Sequence, residues 1–404
     1  MKAELNHNKA FFNQKVNYPI KTNAFSANIP SLSNIHKDSV SFTSNISSTV
    51  IPFDSLLSKS AKFDKSTMDI NSYKTALMAS KGIPVEPGFV ISSNIISNNQ
   101  ISDELLSKIN DSVKDIEQKT SKNLGISNNP LILSVKKGNS NVYVGLNTSI
   151  VNKLRENANT VNNEKFILDS YLHTISAFGI NVFGINPEKF ATSFENTIRD
   201  NGVNDLNNLS TEVLAQAIDR YKTVIKEETG KEFPEDVNEQ LKIAIQTKPD
   251  RKLDYPTIIQ SKTFRANDNA TITGVCFSRD PQTGENKVSG DYIENSTGKD
   301  LLEGKTRLKE LDNLAQSMPA VYEKLTKHVK EIEKIFYRPQ SIGFAIENGE
   351  LKILSTQNLH ETAKANIKTT VDMHTEGLMN DRQAVSRVKL EDLDDSLTTK
   401  FKPD

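Results

Sequence analysis

Residues 342–353 read Ile-Gly-Phe-Ala-Ile-Glu-Asn-Gly-Glu-Leu-Lys-Ile. Ile342, Phe344 and Ile346 alternate with small or polar residues, and Leu351 and Ile353 alternate back. Between them sits Asn348-Gly349, the strongest two-residue hairpin signal, because both residues tolerate positive φ. A period of two on both arms requires an antiparallel pair with one buried face. That face must pack on something, and the flanking sequence offers helices. Upstream, Met318, Val321, Leu325, Val329, Ile332 and Ile335 mark one face of a long helix, with Pro319 near its first turn. Downstream, residues 361–378 read as a helix closed by Gly377. Strands and helices in this unequal order predict an α+β fold rather than a doubly wound parallel sheet.

The rest of the 404-residue chain has room for two or three domains. Residues 1–48 are rich in Asn, Ser and Lys without a sustained period, and read as a disordered tail. They lack the apolar stretch of a secretory signal; a plain tail is one reading, and a targeting or export segment the other. Folding is expected from about Thr49, with one subdomain over 49–256 and a second over 257–404. In the first, residues 81–93 form a Pro-flanked loop entering a strand, and Ser102 caps a helix whose buried face is Leu105, Ile109, Val113 and Ile116. Residues 131–135 read as a short apolar strand, and 164–182, 211–228 and 236–246 as helices. In the second, residues 273–294 carry two extended runs joined by the turn Pro281-Gln-Thr-Gly284.

Composition narrows the function classes. Lys+Arg 50 against Asp+Glu 51 gives a net charge of -1, which argues against a dedicated nucleic-acid or membrane-surface binder. One cysteine, Cys276, excludes an intramolecular disulfide framework and a multi-cysteine metal site. No apolar run reaches the roughly 18 residues of a membrane span. A soluble, cytoplasmic protein is the default expectation.

Catalytic motifs are sparse: there is no GxxxxGK[ST], GxGxxG or HExxH. The six histidines are scattered; His328 sits at the edge of an apolar face, where a packed boundary role is expected. Cys276 lies inside a strand and reads as a buried structural thiol. Three polar features could carry chemistry. Ser134-Val-Lys-Lys-Gly138 places cations at a strand end before a flexible loop, an arrangement suited to phosphate. Ser278–Glu285 is a charged turn between strands. The acids Asp291, Glu294, Asp300 and Glu303 could hold Mg²⁺, or form a solvated face.

At these motifs the chain resembles the N-terminal nucleotide-binding domain of pyruvate, phosphate dikinase and the related phosphoenolpyruvate synthase. The resemblance rests on KGIPVEPGF (81–89), NNPLILSVKKG (128–138), GKEFPEDVNEQLKIAI (230–245), GVCFSRDPQTGEN (274–286), IGFAIENGELKILSTQN (342–358) and ETAKANIKTTVDMHTEGLM (361–379). It covers about residues 60–395 and implies an ATP-grasp-like unit holding ATP between two α+β subdomains. In the family this domain takes the β-phosphoryl of ATP and passes it to a histidine on a swivelling domain, and a barrel domain then transfers it to pyruvate. This chain stops at Asp404 without a phosphohistidine motif or a barrel, so it is not expected to phosphorylate pyruvate alone.

The departures from the family lie where charge meets phosphate. The phosphate-approaching lysine of GGKGANL falls on Asn71, with Lys74 about one turn further on. The arginine of SVRSG is Lys136, which keeps charge but loses the bidentate fork. An acidic pair before the hairpin falls on Ser341 and Gly343, and a Gln and an Arg beyond it on Ser355 and Gln357. An arginine-rich stretch is shortened to 246–256. Phosphoryl transfer depends on positioning and charge neutralisation. The chain is therefore expected to be a catalytically impaired, dikinase-like pseudoenzyme with a binding or regulatory role toward a protein partner. The alternative is a divergent ATP-dependent phosphotransferase acting on a separate histidine-bearing or novel acceptor. Lys136 is the catalytic candidate; Lys74, Lys136, Arg279, Asp291 and Glu347 are the candidates for binding ATP with Mg²⁺.

Overall fold

The computed structural model describes residues 50–56, 70–92, 100–138, 140–203, 209–247, 256–262, 271–294, 308–347 and 349–388. The tail 1–48, His7, His36, Asp300, Glu303, Asn348 and 248–255 lie outside the described residues.

Among the described residues the strands form two five-stranded antiparallel sheets. The first contains β1 (Val50–Pro52), β2 (Gly88–Ile91), β3 (Ile132–Lys137), β4 (Ser140–Val144) and β5 (Thr257–Lys262), in the order β1-β2-β5-β3-β4. One face buries Phe89, Leu133, Val135, Val142 and Ile259 against a helical layer. That layer comprises α2 (Asp103–Thr120), α3 (Thr148–Glu156), α4 (Val161–Asn181), α5 (Pro187–Asp200), α6 (Thr211–Thr229) and α7 (Val237–Gln246). In α2, Ser102 accepts from the Leu105 amide, Asp103 and Glu104 fill the first turn, and Leu105, Ile109, Val113 and Ile116 are buried as their spacing predicts. Each such side chain contributes about 1.5–3 kcal/mol of burial.

The second sheet contains β6 (Thr271–Phe277), β7 (Ser289–Glu294), β8 (Lys309–Glu310), β9 (Gln340–Glu347) and β10 (Glu350–Asn358), in the order β10-β9-β6-β7-β8. Ile342, Phe344 and Ile346 face a core closed by α8 (Leu311–Ser317) and by Val321, Leu325, Val329 and Ile332 of α9 (Pro319–Phe336). The long helix opens with Pro319 at its first position, as expected, and Met318 separates it from the short α8 before it. Gly349 has φ +80°, the left-handed turn the hairpin needs, and a bulge between Ile353 and Ser355 leaves Leu354 exposed. The last elements are α10 (Ala363–Thr375) and α11 (Asp381–Arg387).

This α+β architecture of two sheets fits the expected ATP-grasp-like unit. The division at residue 257 needs correction. β5 lies between β2 and β3 of the first sheet, because its apolar residues Ile258 and Ile259 complete that sheet on both faces. α1 (Ile70–Ser80) serves both halves: Ala76 packs on Ile51, Val90 and Ile258, while Met78 enters the core of the second sheet.

Cys276 is fully buried beneath β9 and burial pushes its thiol far up, so the thiolate nucleophile is suppressed. The native protein should not react with a thiol reagent such as DTNB over an hour, and should release one equivalent of thionitrobenzoate on unfolding in guanidinium. Rapid labelling of the native protein would show that this strand does not pack as described.

Candidate functional site

Lys136 and Lys137 are consecutive on β3, so strand alternation sends them to opposite faces. Lys137 is buried on the helical side and donates to the Ile245 carbonyl at 3.2 Å, at the C-terminal end of α7. Lys136 lies on the other face. α1 covers the part of that face made by Ile51, Val90 and Ile258. The remainder is polar: Ser134 and Lys136 from β3, Asn141 and Tyr143 from β4, Gln260 and Lys262 from β5. Ser134 Oγ donates to Asn141 Oδ1 at 2.8 Å, and Asn141 Nδ2 donates to Tyr143 Oη at 3.1 Å. The Tyr143 ring packs on His173 of α4 with centroids 5.2 Å apart. Burial lowers the His173 imidazole, and the charge of Lys262 adds to the effect. The Lys262 ammonium is itself lowered, by burial and then by Lys136, with Glu86 acting in the opposite sense.

Glu86 joins this face to the second sheet. It is buried, and its carboxylate accepts from Ser261 Oγ at 2.6 Å and from Lys352 Nζ at 3.1 Å. Its carbonyl accepts from Gln260 Nε2 at 3.2 Å. Lys352, on β10, also reaches Glu347 Oε2 at 3.9 Å. Backbone pairing reinforces the junction: the Ile353 amide donates to the Pro84 carbonyl at 2.7 Å, and Val85 bridges Ile353. Glu86, Lys352 and Glu347 thus form a string of alternating charge.

On the second sheet, the face turned away from the core carries Ser341 and Gly343 of β9 directly opposite Gln357 and Ser355 of β10. These are the four positions where the family resemblance implies an acidic pair, an arginine and a glutamine; all four here are uncharged.

The five residues singled out from sequence are placed differently from one another. Lys136 is half-buried on β3 opposite Asn141, and Glu347 lies beside Lys352 on the second sheet. Lys74, on α1, donates to the Thr356 carbonyl at 3.4 Å and stands 5.2 Å from the centre of the Phe336 ring, with its ammonium lowered by burial. Asp291 is exposed on β7, opposite Val275 and Glu310. Arg279 has no exposed surface. Its guanidinium meets Glu333 at 3.0–3.2 Å and Glu376 at 2.5 Å, and these pairs outweigh burial and hold it firmly protonated. The turn that follows is equally structural. Asp280 Oδ1 accepts from the Gln282 and Thr283 amides at 2.8 and 2.7 Å, and a Cβ on Gly284 (φ +74°) would lie 2.6 Å from the Ala365 carbonyl oxygen. The charged turn also anchors the start of α10, through Thr362, whose amide donates to the Pro281 carbonyl and whose hydroxyl donates to the Gln282 carbonyl.

Lys262, Glu86 and Lys352 were not singled out from sequence. The available signals were slight: a glutamate between two prolines, and lysines closing or lying within otherwise apolar strand runs.

The polar part of the first sheet carries two lysines, Lys136 and Lys262, on the same face as Ser134, Asn141, Tyr143 and Gln260. Among the described residues no three His, Cys, Asp or Glu side chains gather as a metal-holding set. Glu294 pairs with Lys309 at 2.5 Å, and Glu347 lies beside Lys352. Among the described residues no helix is long and apolar enough to cross a membrane.

Curated proteins align along most of the sequence. The chain is 30% identical over 353 residues to the pyruvate, phosphate dikinase of Entamoeba histolytica, covering 79% of this chain and 40% of that protein. The chain is related to pyruvate, phosphate dikinase. The chloroplastic pyruvate, phosphate dikinase 1 of Arabidopsis thaliana is 30% identical over 383 residues, 87% of this chain and 39% of the relative. The Clostridium symbiosum dikinase is 27% identical over 358 residues, 81% and 41% respectively. The chain thus spans about 40% of the length of the dikinases it matches. No family model matches it.

Replacing Arg279 in this dikinase relative by Met leaves Glu333 buried without its main partner and should cost about 3–5 kcal/mol of stability in urea denaturation. The double variant Arg279→Met, Glu333→Gln should recover part of that loss, as coupled neighbours do. An Arg279→Met protein as stable as the parent would show that the pair does not hold α9 and α10 together.

Proposed function

We propose that this chain is a dikinase-derived nucleotide-binding protein that holds ATP or ADP without transferring a phosphoryl group, and acts by binding or regulation. One observation carries this reading. The β9–β10 ladder presents Ser341, Gly343, Ser355 and Gln357 where transfer chemistry would need ionised groups, while Lys136 stands half-buried on the first sheet opposite Asn141. Binding needs only complementary charge and hydrogen bonds. Transfer needs groups poised against charge that develops in the transition state, and losing one such donor costs roughly 10²–10³-fold. Several changed positions facing one another make turnover far weaker than binding. A regulatory protein partner for such a nucleotide-holding domain belongs to the same reading.

The second reading, a divergent ATP-dependent phosphotransferase, draws on the retained lysine. Lys136 keeps a cation at the family's arginine position, and a phosphoryl acceptor could be carried by another chain.

Isothermal titration should give ATP binding in the micromolar to millimolar range, weakened about tenfold or more by Lys136→Gln, the value of a lost charge-assisted hydrogen bond. Incubation with ATP, with and without pyruvate and phosphate, should yield no AMP above a heat-treated control. Formation of AMP that Lys136→Gln abolishes would favour the phosphotransferase.

A further inference from the structure

A helix in a globular protein usually keeps its place by burying an apolar stripe. α11 is held differently. None of its residues is buried, and Val385 is 76% exposed. Its fastenings are polar. Asn380 and Gln383 close a capping box at its start, and Asp381 Oδ1 meets His374 Nε2 of α10 at 2.6 Å. At its end one side chain reaches inward: that of Arg387 is 8% exposed. Arg387 Nε donates to Asn366 Oδ1 at 2.9 Å, Nη1 meets Met373 Sδ at 3.8 Å, and Nη2 pairs with Glu361. Glu361 stands between β10 and α10, so this one ion pair closes a loop that contains both helices.

The two helices are secured unequally. α10 buries Ala365, Thr369, Thr370 and Met373. Both of its ends are tied to the stretch after β6, the first through Thr362 to the Pro281 and Gln282 carbonyls, the second through Glu376 to Arg279 and Asn286. Between the helices Gly377 has φ +73°, and Met379 is buried, so the connection has an anchor of its own. Loss of the α11 contacts would leave α10 in place and end at Met379.

The ion pair itself is poorly compensated. The Glu361 side chain is 5% exposed, and among the described residues its Oε1 has no hydrogen-bond partner. A buried carboxylate satisfied on one oxygen recovers little of its desolvation cost. Withdrawal of Arg387 lets water reach both of those oxygens and the guanidinium, which offsets much of what the opened contact loses.

We propose that α11 is a latch that opens and closes as one unit on Arg387, and that it sets the position of the chain beyond Val388 without disturbing either sheet. Such a local equilibrium needs few buried apolar contacts in the moving part, which is what α11 has. Arg387 is a positioning residue here, and the latch does not depend on the nucleotide-binding reading above.

The test is amide hydrogen exchange of the full chain, followed by mass spectrometry, for the parent, Arg387→Gln, Arg387→Lys and Glu361→Gln. In Arg387→Gln the amides of 383–388 should exchange about tenfold or more faster, the value of one lost charge-assisted contact. Peptides from α9, α10 and both sheets should keep the parent's rates. Glu361→Gln should behave in the same way, and Arg387→Lys, which keeps the charge but not the fork, should fall between. The thermal midpoint of Arg387→Gln should stay within about 2 °C of the parent's, because the opened latch hydrates Glu361 instead of trapping it unpaired. Exchange over 383–388 that neither Gln variant changes overturns the latch. Faster exchange throughout the chain, a larger fall in the midpoint, or failure of Arg387→Gln to fold also overturns it, since each makes the pair part of the core.

Discussion

A carboxylate removed from water must be compensated on both of its oxygens, and Glu86 meets that condition by tying together three separate stretches of chain. Ser261 comes from the middle of the first sheet, Lys352 from the edge of the second, and Glu86 itself from the Pro-flanked connection between α1 and β2. The Ile353–Pro84 hydrogen bond runs alongside. A side-chain ion pair and a backbone bond acting at one place restrict the second sheet's edge more than either would alone. The polar face of the first sheet and the charge-poor face of the second hold their mutual arrangement through this junction and through α1, whose residues enter both cores.

Charge in this molecule is redistributed as well as reduced. On the β9–β10 ladder the implied acids and the implied arginine are absent together, and serine, glycine and glutamine stand opposite one another. Removing only one sign would have left uncompensated charge on a half-buried surface; removing both leaves a neutral face at little cost. Arg279 retains its charge and spends it inside the fold, against Glu333 and Glu376. Charge therefore survives where it secures packing, and on the first sheet as a pair of lysines.

Much of the fold is legible because its signals are local. The α2 face, the β9–β10 alternation and the capping serine at 102 depend on neighbours a few residues away, and each is found as read. The start of α9 at Pro319 is local too and was legible; the short α8 before it was not read. What stayed hidden is non-local. The run Thr257–Lys262 announces a strand but not which sheet it joins, since its partners Gly88–Ile91 and Ile132–Lys137 are far away in sequence. The site was harder still. A lysine in the sequence carries the same charge whether it faces solvent, as Lys262 does, or caps a helix, as Lys137 does. Only the pleat separates Lys136 from Lys137, and only strand pairing brings Lys262 onto the face of the former. The burial of Arg279 had no sequence signal, because its partners lie on α9 and after α10.

The place of β5 has a consequence for how the chain comes to be folded. β2 and β3 are not neighbours; the strand that joins them follows the whole helical layer in sequence. Until it is made, β3 and β4 can form only a hairpin and β2 only a pair with β1, each marginal by itself. Such widely separated pairings are slow, since loop closure must precede any gain from contact. During synthesis on a ribosome the helices can gather early, but the sheet beneath them stays split, with two unpaired strand edges open to other chains. The last strand to be inserted is also the one that carries Gln260 and Lys262, so the polar part of that face is completed in the same step that closes the sheet.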